Sequence, residues 1–139
     1  MVDGFNPRGI WGPDGRAFSQ GVIQGEGMVV HATGLVAWDA DRKVIGAGDV
    51  ATQMEKCIDN VKAIWVEVGG RLDDVVSPTM YLLRRDDLPA IQSVRERHFN
   101  PATAPVSILI QVPGLVVPEF LVELVPIAVV PPARFKRPS

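Results

Sequence analysis

The sequence predicts an α+β domain in which a mixed β-sheet carries two helices on one of its faces. Its 139 residues are enough for one domain with its own core, and 47% of them are apolar, as in ordinary globular proteins. Two stretches have helical periodicity, and shorter apolar stretches precede, separate and follow them. Because helices alternate with strands, crossover connections should leave both helices on the same side of the sheet.

The N-terminal third predicts loops and short strands. Residues 1–15 are rich in glycine and proline, which predicts an N-terminal loop ending in a turn at 13–15. We expect short strands at 18–23 and 28–32, separated by glycines, and a weaker strand at 44–45.

Two helices are expected in the middle of the chain. The first should begin after Asp49, a favourable N-cap, and end at the glycine pair 69–70. Its apolar residues recur at steps of three and four: Met54, Ile58, Val61, Trp65 and Val68. The second should begin after Asp87, and its first turn tolerates Pro89. Its apolar side consists of Leu88, Ile91 and Val94.

Three further strands are expected at 75–83, 106–112 and 120–130. The last is apolar on both faces apart from Glu123, and a strand of that kind is covered on both faces. Two helices cover only one face of a sheet, so a second copy of the chain is expected to cover the other. We expect residues 131–139 to form a frayed basic tail.

Composition and charge narrow the classes of function. Fourteen Lys and Arg against sixteen Asp and Glu give a net charge of −2, which argues against a partner that is nucleic acid or a membrane surface. The single cysteine, Cys57, excludes an internal disulfide and a cysteine zinc cluster, and it favours a reducing, cytoplasmic location. No apolar stretch approaches the ~20 residues of a spanning helix, and neither His31 nor His98 has companion ligands for a metal.

An ordered series of short motifs resembles the Rid family, also known as YjgF or endoribonuclease L-PSP. The series covers 18–130 and consists of Phe18-Ser19-Gln20-Gly21, Thr33-Gly34, Asp39, Asn60-Val61-Lys62-Ala63, Leu72-Asp73-Asp74-Val75-Val76, Asp87-Leu88, Gln111-Val112, Val122-Glu123-Leu124 and Ile127-Ala128-Val129. The resemblance implies a chorismate-mutase-like fold spanning the whole chain as one domain, and a homotrimer with small-molecule clefts between adjacent subunits. It also implies hydrolysis of enamines or imines with release of ammonia, without a metal or an organic cofactor.

The resemblance also implies a set of site residues, several of which depart from the family pattern. The arginine that grips a substrate carboxylate in deaminating members is Ser107 here, and the family tyrosine is Phe18. The family asparagine on the second helix is Gln92, and a small residue near the arginine is Leu109. These changes make activity on simple 2-imino acids doubtful.

Three residues keep the family pattern. Thr33 and Gly34 fit a pair that contacts the ligand through the backbone, and Glu123 matches the family glutamate that positions or activates a water molecule. Glu123 could instead pair with a basic residue of a neighbouring subunit, and Ser107 could be a small polar filler.

Three functions follow as hypotheses. The first is a Rid-type enzyme whose substrate is not a simple 2-imino acid. The second is a non-catalytic binding or interaction module on the same trimeric scaffold, favoured by the loss of both the arginine and the tyrosine. A ribonuclease is the least favoured, because only the tail is basic. The sequence leaves open whether Arg16, Arg84 or Arg85 replaces the missing arginine.

Overall fold

The computed structural model describes residues 2–139 and has the predicted α+β architecture. Its helices and strands, in chain order, are β1 (Asp3–Phe5), β2 (Gly21–Ile23), β3 (Met28–His31), α1 (Val50–Glu67), β4 (Val75–Leu82), α2 (Leu88–His98), β5 (Ile108–Gln111) and β6 (Val122–Val130). Short 3-10 turns lie at Leu72–Asp74, Arg85–Asp87 and Pro101–Thr103. Within residues 2–139 no helix is long and apolar enough to cross a membrane.

The main sheet is mixed and has the strand order β3-β6-β4-β5. Strand β6 is antiparallel to both β3 and β4, whereas β4 and β5 are parallel and are connected through α2. Leu82 pairs with Val122 on one side and with Gln111 on the other, which sets the register of the three strands. The antiparallel strands β3, β6 and β4 are therefore extended by β5, which follows β4 through one crossover connection. The alternation of helices and strands predicted such a connection.

The core lies between the sheet and the two helices, which pack on the same face. Helix α1 begins after Asp49, whose carboxylate accepts a hydrogen bond from the Thr52 backbone N–H, as the sequence predicted. The buried cluster combines residues of α1, α2 and the inner face of the sheet: Met54, Ile58, Val61, Trp65, Ile91, Val94, Met80, Leu82, Val122 and Leu124. These are the positions at which the helical and strand periodicities place apolar side chains.

The other face of the sheet is also apolar, and no element of the described chain packs over its centre. Strands β3 and β5 expose Val29 (43%), Ile108 (44%) and Ile110 (40%) on it. Val125 and Ile127 of β6 are half-buried between them. The expectation of a sheet that is apolar on both faces is confirmed, and the second copy that would cover this face remains a prediction.

Two details of the N-terminal third differ from the sequence prediction. Residues 1–15 were expected to be loop, but β1 pairs with β2 to form a small antiparallel sheet. The weak strand at 44–45 is only an isolated bridge between Trp38 and Val44. Both elements are too short for alternation of apolar residues to reveal or to define them.

The prediction of a frayed C-terminal tail is wrong for its first half. The Arg134 guanidinium donates two hydrogen bonds to the buried Asp74 carboxylate, at 2.9 and 2.5 Å, and a third to the Gly69 carbonyl at 2.8 Å. The backbone N–H of Lys136 donates to the Val68 carbonyl at 3.1 Å. An arginine in a basic, proline-rich tail gives no local sign of its partner 60 residues away.

Candidate functional site

A cleft lies between α2, the segment around residue 18 and the start of β5. It is lined by Trp11, Arg16, Phe18, Gln92, Arg95, Ser107 and Leu109, and its cavity volume is about 240 Å³. An adjoining cavity of about 160 Å³ shares Trp11, Phe18 and Ser107 with it and adds Gln20. Pockets for small ligands begin at roughly 300 Å³, so the two cavities together have room for a small metabolite.

Two hydrogen bonds from Ser19 hold the two sides of this cleft together. The Ser19 hydroxyl donates to the Ala104 carbonyl at 2.6 Å, and its backbone N–H donates to the Pro105 carbonyl at 2.8 Å. These bonds place Phe18 beside Ser107, which immediately precedes β5. Four of the site residues expected from the sequence therefore lie in one cleft: Phe18, Gln92, Ser107 and Leu109.

Two side chains of the cleft have buried polar atoms without hydrogen-bond partners among residues 2–139. They are the Ser107 hydroxyl and both amide atoms of Gln20. Buried polar groups in folded proteins are nearly always paired with protein or water. These atoms are therefore available to bind a ligand or ordered water.

Arg95 is the one lining residue that combines a charge with full burial. It is 1% exposed, and its guanidinium donates to the Ala17 carbonyl at 2.8 Å and to the Gln92 side-chain oxygen at 3.1 Å. Within residues 2–139 it forms no ion pair with a carboxylate. Burial lowers the pKa of Arg95 to about 10, opposed only by the negative charge of the exposed Glu96.

Arg95 is not among the site residues expected from the sequence. Its signal was present, since Arg95 lies four residues after Ile91 and so continues the apolar side of α2. Of the arginines that were considered, Arg16 lines the cleft and is exposed. Arg84 instead bonds Asp87 at 3.0 Å, and Arg85 is not among the lining residues of the described cleft.

The remaining expected residues lie elsewhere. Glu123 is on β6, and Gly34 is so close to it that an added β-carbon would lie 3.0 Å from the Glu123 carboxylate. Thr33 is exposed next to Gly34. Within residues 2–139 the Glu123 carboxylate makes no hydrogen bond or ion pair, which leaves it able to bind water or a group from outside the chain.

The sheet register separates these two groups of residues. Glu123 is opposite Tyr81 on β4, whereas Leu109 is opposite Met80, the preceding residue. Neighbouring residues of a strand point to opposite faces, so Glu123 lies on the outer face and Leu109 on the helix-covered face. One chain therefore does not bring Glu123 into the cleft.

Other reactive groups give no indication of a further site. The thiol of Cys57 is buried in the core, and burial raises its pKa to about 12, with a smaller contribution from the charge of Glu123. Trp38 packs edge-on against Phe120 with ring centroids 5.1 Å apart and does not line the cleft. Among residues 2–139 no three His, Cys, Asp or Glu side chains cluster closely enough to hold a metal ion.

Comparison with known proteins identifies the family of this chain. Residues 14–130 match the family described as endoribonuclease L-PSP. The chain is 33% identical over 100 residues to the 3-aminoacrylate deaminase RutC of Acinetobacter baylyi. The matched residues make up 72% of this chain and 78% of that protein. It is 30% identical over 89 residues to a RutC family protein of Pyrococcus abyssi, covering 64% of this chain and 69% of that protein.

A solved structure supports the same assignment. The Rid family protein YyfB of Yersinia pestis superposes with a TM-score of 0.85 at 27% identity, over 93% of this chain and 98% of that one. The two helices on one face of a mixed sheet are therefore common to both proteins. The chain belongs to the endoribonuclease L-PSP family, also called the Rid or YjgF family, as its ordered motifs predicted.

Proposed function

We propose that this protein hydrolyses a small enamine or imine, releasing ammonia, in a cleft that a second copy of the chain completes. The observation that carries the proposal is the separation of the expected site residues onto the two faces of the sheet. Among residues 2–139, those that line the cleft include no carboxylate and no imidazole. The carboxylate of Glu123, which has no partner among residues 2–139, lies on the apolar outer face, the face that a neighbouring subunit would cover.

A homotrimer of the family type would join the two groups. Covering the outer faces of three sheets with one another would remove the exposed valine and isoleucine side chains from water. It would also bring Glu123, Thr33 and Gly34 of one subunit to the Phe18 and Ser107 side of another. The apolar walls formed by Phe18 and Leu109 would then exclude bulk water from the bound substrate.

The reaction needs only water and a group that transfers protons. A proton from solvent adds to the enamine carbon and gives an iminium ion, and water adds to its C=N carbon while passing a proton to the Glu123 carboxylate. Glu123 returns that proton to nitrogen, and the C–N bond breaks as the hydroxyl group becomes a carbonyl and gives its proton to solvent, so a carbonyl compound and ammonia leave. The name of the Acinetobacter baylyi relative supports this chemistry, because 3-aminoacrylate is an enamine.

The decisive experiment measures ammonia release from 3-aminoacrylate and from 2-aminoacrylate generated in situ. We expect acceleration over spontaneous hydrolysis with 3-aminoacrylate and little with 2-aminoacrylate. The carboxylate of 2-aminoacrylate is attached to the reacting carbon itself and would have to be held from β5, where Ser107 supplies no guanidinium, whereas that of 3-aminoacrylate lies one carbon farther away. Glu123→Gln should lose about a hundredfold in rate. The matched control is Glu119→Gln, since Glu119 is an exposed glutamate shortly before β6. No acceleration with either substrate would refute the proposed hydrolysis.

The second candidate is a binding module without catalysis. It is favoured by the replacement of the family arginine by Ser107, whose hydroxyl supplies no charge. Thermal shift with a panel of small metabolites would compare the wild type with Glu123→Gln and Ser107→Arg. Ligand-dependent stabilisation that changes in these variants, without turnover of any substrate, would establish this candidate in place of the enzyme.

A further inference from the structure

Arg95 occupies an unusual position for a charged side chain. It is 1% exposed, and among residues 2–139 it bonds only neutral oxygens, those of the Ala17 backbone and the Gln92 amide. An arginine stays charged under ordinary conditions, and a buried charge without a counter-charge destabilises the folded protein. A buried charge of this kind in a cleft indicates a functional site, and an anion from outside the chain can supply the missing charge there.

We propose that Arg95 holds the carboxylate of a small substrate in the cleft, replacing from α2 the strand arginine that Ser107 has lost. The inference rests on the proposed function, because it names the substrate class of the same cleft. The anion would lie towards α2 and the backbone of Ala17, and not directly over β5.

The donors around this position support the assignment. A guanidinium has more N–H groups than the two bonds of Arg95 use, and its planar fork matches a carboxylate. The Ser107 hydroxyl has no partner in the described part of the chain, lines the same cleft and can donate a further hydrogen bond. Arg16, exposed on the cleft wall, adds a second positive charge that attracts anions.

The rest of the cleft limits the size of the substrate. Trp11, Phe18 and Leu109 provide apolar walls, and the cavity of about 240 Å³ suits a short hydrocarbon chain. The unpartnered amide of Gln20 in the adjoining cavity is available to a polar group at the far end of the ligand. A short monocarboxylate with one further polar group meets all of these contacts.

The test compares butanoate with butanamide, which has nearly the same shape and no charge. Binding is followed in nuclear magnetic resonance spectra through the indole N–H signal of Trp11, assigned with a Trp11→Phe variant. Butanoate should bind at least about tenfold more tightly than butanamide, as expected for hydrogen bonds to a charged group. Added salt should weaken the binding of butanoate only.

Variants locate the charge that is responsible. Arg95→Gln should lose about tenfold in butanoate affinity and leave butanamide unchanged. The matched control is Arg97→Gln on the same helix, because Arg97 is exposed and bonds Glu55 outside the cleft. Equal affinity for the two ligands, or equal losses in the two variants, would overturn the assignment. Tighter binding of inorganic phosphate than of butanoate would overturn the carboxylate class.

A second variant decides the question if Arg95→Gln fails to fold. Ser107→Asp introduces a carboxylate into the cleft, where it would supply the counter-charge of Arg95. We expect a higher melting temperature and loss of butanoate binding, whereas Ser107→Asn should show neither. A lower melting temperature for Ser107→Asp would mean that the bonds to Ala17 and Gln92 already satisfy Arg95, which would refute its role as an anion site.

The two proposals fail in different ways. Butanoate binding that depends on Arg95, without ammonia release from any enamine, would refute the hydrolysis and keep the anion site. Ammonia release that Arg95→Gln leaves unchanged would keep the hydrolysis and refute the anion site.

Discussion

The ion pair between Arg134 and Asp74 should make the C-terminal segment a determinant of stability. The Asp74 side chain is 1% exposed and that of Arg134 is 26% exposed. Breaking a buried ion pair by removing one partner costs about 3–5 kcal/mol. Asp74 keeps its bond from the Arg71 backbone N–H at 2.8 Å, and Arg134 is partly solvated, so we expect Arg134→Met to cost about 3 kcal/mol, near the lower end of that range.

Urea denaturation at fixed protein concentration measures this cost. Arg137→Met is the matched control, because Arg137 is exposed in the same segment, and it should change stability by less than about 0.5 kcal/mol. Asp74→Asn and the double variant complete a cycle that isolates the interaction between the two residues. A loss below about 1 kcal/mol for Arg134→Met would show that the pair behaves like an exposed one and would refute the reasoning.

The pH dependence has a definite sign. Burial raises the pKa of Asp74, but the hydrogen bonds from Arg134 and the Arg71 backbone outweigh it and hold the pKa below 3.8. The stabilisation is therefore present above 3.8 and is lost as the pH falls through the lower pKa of the folded protein. The difference between the wild type and Arg134→Met should accordingly shrink in strongly acidic solution.

Three further variants or reagents test other parts of the structure. Val125→Arg on the outer sheet face should abolish self-association in sedimentation experiments, whereas Val66→Arg at an exposed position of α1 should not. A wild type that sediments as a single chain would refute the prediction that a second copy covers this face. Gln53→Leu should cost about 2–4 kcal/mol in urea denaturation, because the buried amide bonds two carbonyls and the Leu121 N–H, and an unchanged midpoint would contradict this. The Cys57 thiol, with its pKa raised to about 12 by burial, should react with a disulfide reagent only in denaturant, and reaction in the native protein would show local opening.

Sequence patterns predicted the elements whose signals are local. Asp49 and the glycine pair 69–70 bracket α1 within a few residues, because capping involves only the adjacent turn. Both sets of alternate positions in β6 are apolar apart from Glu123, and this predicted a sheet apolar on both faces. The family resemblance also placed Phe18, Gln92, Ser107 and Leu109 among the expected site residues, and these four side chains line one cleft.

Arg95 shows why the charge in the cleft was not predicted. Alignment with the family motif assigns the carboxylate-binding arginine to a single position on the chain. That position holds Ser107, so the alignment finds no arginine for the cleft. A guanidinium on a long side chain can reach the same space from a different element, and α2 supplies it. The packing of α2 against the segment that contains Ala17 places the Arg95 guanidinium in the cleft, and the sequence alone does not show this packing.

The amino-acid order by itself determined the helices, the family and the apolar character of both sheet faces, because caps, periodicity and short motifs depend on neighbours along the chain. Tertiary structure alone decided that Arg134 pairs with Asp74, that Arg95 lies buried in the cleft, and that Glu123 faces away from it. These relations join residues distant in sequence, and they follow from strand register and helix packing, which no single segment encodes.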